Sequence, residues 1–181
     1  GPTFLMMKFI LDEVFHEAGR TLSDYCTVRE LDPMYKLSFV DKEIYASRDR
    51  ESMRNEIARV FPGEEAGLDH FHARESIRYE KMYPCLQRPY SNLTSLLSRP
   101  LLKAVPHLSL GNSLHQVLSR YFSDEHLRIS FTFQSKYLGM SPWACPGAFT
   151  IIPYIEHKFG IHHVIGGLCK ISDAMAHITG E

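Results

Sequence analysis

Proline and glycine interrupt residues 91–160 so often that this stretch cannot hold one long helix. Pro100, Pro106, Gly111, Gly139, Pro142, Pro146 and Pro153 fall among residues whose apolar spacing is otherwise helical. Proline lacks an amide donor and clashes with the preceding turn, so each one starts or breaks a helix. The stretch therefore divides into short pieces, expected over 91–98, 100–105, 111–121, 124–138 and 146–159.

The flanks read differently. Met7, Ile10, Leu11, Val14 and Ala18 follow the helical period, which predicts a helix over 4–18 closed by Gly19. "YCTVRELDPMYKLSFVDKEIYAS" alternates and breaks at Asp-Pro and Val-Asp-Lys-Glu, as a strand, a turn and a β-hairpin do. Helical spacing returns over 49–60 and 64–82. A strand near 161–165 and a helix near 168–178 close the chain. The expected class is α+β: a small mixed β-sheet formed near the chain ends (1–48 and 161–181), with a mainly helical insertion over 49–160.

Composition narrows the function classes. The chain has 181 residues, 44% of them hydrophobic and 23% charged, with a net charge of −1, which gives no electrostatic reason to bind nucleic acid. Cys26, Cys85, Cys145 and Cys169 are scattered without a C-x-x-C pair, the pattern of a reducing compartment, so a cytoplasmic location is expected. No apolar run reaches the roughly 18 residues of a membrane span.

"HHVIGGLCKISDAMA", residues 162–176, reads as strand, glycine pair and helix. It lacks the G-x-G-x-x-G of a dinucleotide site and the spacing of a P-loop, so alone it is a tight turn. His157, His162 and His163 have no carboxylate at metal-site spacing, and no metal is expected. No serine sits in a G-x-S-x-G setting and no Cys/His pair appears, so nucleophilic catalysis has no support. Phe131, Phe133, Tyr137, Met140, Trp143 and Phe149 crowd a proline-broken segment. Each reads singly as core, and together they read as the lining of an apolar ligand cavity. In "LTSLLSRPLLKAVPHLSL", Leu97 and Leu101 flank Arg99 and Lys103, the composition of an interfacial membrane contact or of an internal helix pair with a basic edge.

"FTFQSKYLGMSPWACPGAFTIIPYIEHKFGIHHVIGGLCKISDAMA" closely resembles the C-terminal part of the substrate region in bacterial phytoene desaturases, members of the FAD-dependent carotenoid desaturase family. "GPTFLM" and "LDPMYKLSF" resemble that family's return into the substrate domain and its following strand, so the likeness covers essentially the whole chain. It implies the substrate domain of a flavin amine-oxidase/phytoene-desaturase-like fold, excised from a longer enzyme, with the FAD-binding Rossmann domain absent. Gly166 and Gly167 would then abut a flavin, with Gly1, Pro2 and Thr3 approaching from the other side, and the fragment would bind no FAD tightly. The implied parent activity is desaturation of a long apolar polyene such as phytoene by hydride transfer to flavin; no catalytic base is nominated. Carotenoid isomerase, ketolase and retinol saturase share the scaffold, and a non-catalytic apolar-ligand or membrane-surface module is the reading from another class. A membrane-dissolved substrate implies peripheral membrane contact. Surface normally covered by the flavin domain would favour self-association of the fragment.

Overall fold

The computed structural model describes residues 4–180, apart from the side chains of Leu93 and Leu96. The chain divides into two compact units. The first comprises residues up to Ser38, Glu43–Met53 and the chain from Ile155 onward; the second comprises Phe39–Lys42 and Arg54–Tyr154.

In the first unit, strands β1 (Leu5–Met6), β2 (Val28–Glu30) and β5 (Ile161–Val164) form a sheet in the order β1-β5-β2, antiparallel throughout. Leu5 stands opposite His162, and Val28 opposite Val164. A separate hairpin pairs β3 (Tyr35–Ser38) with β4 (Glu43–Ala46). The class is α+β as expected, but the sheet is antiparallel rather than mixed. Strand direction follows from how the two chain ends meet, which local alternation does not encode.

The expected helix over 4–18 starts later, as α1 (Lys8–Glu17). Leu5–Met6 pair with β5 instead, and Met7, in left-handed backbone (φ 51°), turns the chain from strand into helix. The far end follows expectation. Gly19 (φ 69°) donates to the His16 carbonyl and Arg20 to that of Phe15, the paired bonds of a glycine-closed helix C-terminus. Phe15, Leu22, Cys26, Val164 and Ala174 form the buried core, the last from helix α8 (Cys169–Gly180).

The second unit is helical. Helix α2 (Arg50–Val60) leads into it, and α3 (Glu65–Leu86) runs past the expected stop at 82, continuing through Pro84. That proline offers no amide to the carbonyl of Glu80, an exposed residue, yet the helix runs on to Leu86. Beyond it come α4 (Arg99–Ala104), a single turn of tighter helix at Val105–His107, α5 (Leu114–Leu118) and α6 (Glu125–Ser130). Ser113 and Gln116 close a reciprocal capping box at the start of α5, and Asp124 caps α6 through the Leu127 amide. Phe71 of α3 is the hub of the core, with Phe131 at 5.1 Å and Phe122 at 6.2 Å between ring centroids. Helix α7 (Ile151–Phe159) then carries the chain to β5.

Candidate functional site

The glycine pair forms a tight turn between β5 and α8. Gly166 and Gly167 have φ of 85° and 95°, a conformation side chains resist, and the Gly167 amide donates to the Val164 carbonyl at 2.9 Å. Gly166 is exposed. A Cβ built there would meet only the Lys170 stem, at 3.5 Å, and one on Gly167 would meet only the Cys169 thiol, at 3.6 Å. The outer face of this turn is therefore bare backbone. Gly1, Pro2 and Thr3 lie outside the described residues. His162, next to the turn on β5, has a buried Nδ1 without a hydrogen-bond partner. Among the described residues no three metal-binding side chains come together.

The residues of the aromatic segment differ in exposure. Phe131 is buried in the core against Phe122, at 4.7 Å, while Trp143 is 60% exposed and stacks on His115. Phe133 and Tyr137 meet edge-on at 6.3 Å, with the Lys136 ammonium over both rings. Met140 and Phe149 are half-buried. Proline-broken geometry has spread these residues between core and surface.

The helical unit holds an apolar pocket elsewhere, of about 300 Å³, between the C-terminal half of α3 and α4. Met82, Cys85 and Leu86 line one side, Leu101 and Ala104 another, with Tyr90 and Leu108 at the edges. Of the residues proposed for membrane contact, Leu101 lines this pocket, whereas Leu97 is 71% exposed and Arg99 and Lys103 are exposed. Met82, Leu86 and Leu108 are not among the site residues expected from sequence; a helix expected to end at 82 leaves Leu86 outside it. The i,i+4 spacing of Met82 and Leu86 was the available signal. Among the described residues no helix is long and apolar enough to cross a membrane.

No family model matches the chain. Individual relatives do. The chain is 48% identical along its whole length to a 4,4'-diapophytoene desaturase (4,4'-diapolycopene-forming) of a Methylomonas species. It is 33% identical to the zeta-carotene-forming phytoene desaturase of Myxococcus xanthus and 31% identical to the neurosporene-forming phytoene desaturase of Rhodobacter capsulatus, again over all of this chain. In each case it spans only about a third of the relative: 35%, 35% and 34%. By sequence, the chain belongs to the carotenoid (phytoene) desaturase family.

Proposed function

We propose that this chain is the substrate-binding portion of an FAD-dependent oxidoreductase that desaturates a long apolar polyene such as phytoene. The observation that carries the reading is the 48% identity to a diapophytoene desaturase across all 181 residues. A hydrocarbon polyene offers no polar handle, so a binding site must hold it by shape and apolar contact. The pocket at Met82, Leu86 and Leu101 supplies such a surface. At about 300 Å³ it lies at the small end of ligand pockets, so it would take one end of a long chain rather than the whole.

The glycine turn fits a flavin. Two glycines in succession, with no side chain of their own at the turn, let a flat ring lie against backbone. Bound there, the flavin would supply the hydride acceptor. This chain's part is to bind, orient and keep water from the polyene. Leu97, Arg99 and Lys103, exposed beside the pocket residue Leu101, would meet a membrane surface from which such a substrate arrives.

The experiment is co-elution. Purified chain is incubated with phytoene in mild detergent, gel-filtered and extracted. Phytoene is expected to travel with the chain at a saturable ratio, and Leu101→Glu, which charges the pocket wall, to abolish it. Failure to co-elute, or co-elution that survives Leu101→Glu, contradicts the reading.

A further inference from the structure

A second pocket, of about 260 Å³, lies on the same helix as the apolar one and has the opposite character. Arg74, Arg78, Arg120, His107, Ser109 and Tyr121 line it. Arg78 is buried, and its guanidinium donates one N–H to the His107 carbonyl and one, at 2.9 Å, to the Ser109 hydroxyl. Its Nε stands 2.8 Å from the Glu75 carboxylate without hydrogen-bond geometry, so charge couples that pair. Arg120 is held by the Asn112 side chain at 2.7 Å. The side chain of Arg74, an exposed residue of α3, makes no ion pair or hydrogen bond among the described residues. Three guanidinium groups against the one carboxylate of Glu75 leave an excess of two positive charges, and a hydrocarbon substrate has no use for them.

Two further observations concern the same place. Ser109, whose hydroxyl accepts from Arg78, sits in left-handed backbone at φ 50°, a conformation that costs a non-glycine residue energy and is held by its surroundings. Between Glu80 and Asp124 the chain has no acidic residue, while Lys81, Arg88, Arg99, Lys103 and Arg120 are all basic. Nothing acidic along that stretch weakens the field around the pocket.

The two pockets draw on the same two segments, α3 and residues 101–109. Arg74, Arg78, Met82 and Leu86 follow one another at four-residue intervals along α3, so a strip that winds about a third of the way round the helix changes from cationic to apolar over about 18 Å. The facing segment contributes to both pockets, His107 and Ser109 to the cationic one and Ala104 and Leu108 to the apolar one. We propose that these pockets together bind an anionic amphiphile, a phosphate group at Arg74, Arg78 and Arg120 with its hydrocarbon chain laid over Met82, Leu86 and Leu101. Guanidinium forks suit phosphate oxygens, and the chain takes the apolar half. The site rests on these pockets and not on the desaturase reading.

The test is calorimetric titration of the intact chain with dodecyl phosphate below its micellar concentration, with inorganic phosphate and with neutral dodecyl maltoside. Dodecyl phosphate is expected to bind at least tenfold more tightly than either of the others. Arg74→Gln combined with Arg120→Gln, both exposed positions, should weaken it at least tenfold while leaving dodecyl maltoside binding unchanged; Arg59→Gln, remote in sequence, should change neither. Sedimentation with phosphatidylglycerol vesicles separates the sources. Vesicle binding lost in the double variant assigns the phosphate to a lipid headgroup, and dodecyl phosphate binding without it assigns a free amphiphile; both uphold the site. Equal affinity for dodecyl phosphate and either control, or a double variant that binds as the parent chain does, overturns it.

Discussion

The Thr150 hydroxyl donates to the carboxylate of Glu75 across 2.7 Å, inside the core of the helical unit where neither side chain touches solvent. Tyr121 donates to the other oxygen of the same carboxylate at 2.9 Å, and Arg78 balances its charge. Burial, with the nearby Glu75 charge, pushes the Tyr121 hydroxyl up to about 12, so it remains a donor throughout the working range. This cluster ties α3 to the segments around residues 121 and 150.

Replacing Glu75 with Ala leaves Arg78 buried without its counter-charge and should cost about 3–5 kcal/mol. Thr150→Val removes one donor and should cost about 1–2 kcal/mol. Urea unfolding midpoints check both, and the ordering Glu75→Ala worse than Thr150→Val is the expected result.

Gly67 is needed for space rather than for backbone freedom. A Cβ there would stand 2.2 Å from the Tyr121 carbonyl oxygen and 2.9 Å from the Phe122 ring. Gly67→Ala should destabilise by at least about 2 kcal/mol, since backbone must shift. Gly63 has φ 94° with open space around it, so Gly63→Ala should cost only about 1 kcal/mol, from conformation. Equal effects in thermal melts would contradict the close approach of α3 to residue 121.

His162 should make stability depend on acidity. Burial holds its imidazole below the usual range; the Glu30 carboxylate opposes the shift, and Lys8 and Arg48 add to it. The unfolded chain, titrating near 6.5, therefore takes up the proton first. The contribution is intact above about pH 6.5 and is lost as the pH falls below that value toward the folded-state pKa. Melting temperature should fall between about pH 7.5 and about pH 5.5, and less so in His162→Gln.

The proposed membrane contact is assigned to the basic edge beside the apolar pocket. Arg99→Glu with Lys103→Glu should weaken sedimentation with anionic vesicles by at least about tenfold and leave neutral vesicles unaffected. Unchanged binding would remove these residues from the contact.

What the sequence disclosed, and what it hid, follows from the range of each interaction. The Gly19 stop is legible because its signal is local, and so are the helical pieces that begin near Ser113 and Asp124. The pairing of Leu5 with His162 is not legible: it joins the two ends of the chain and overrides a helical period that reads straight through Met7. Pro84 hid the end of α3 for the opposite reason, a local breaker outweighed by packing, and the apolar pocket was hidden with it. Phe131 and Trp143 look alike in sequence, yet one is core and the other surface, because residues between prolines lose a common face. The family likeness was legible throughout, in the run from 131 to 176.

The most direct test is a graft. This chain replaces the corresponding third of the Methylomonas 4,4'-diapophytoene desaturase, with which it shares 48% identity, and the purified chimera is assayed for flavin content and for desaturated products. If the chain is a substrate-binding portion, the chimera should carry flavin and desaturate its polyene, and Leu101→Glu should stop product formation while flavin remains bound. A folded, flavin-loaded chimera that leaves the polyene unchanged would contradict the account.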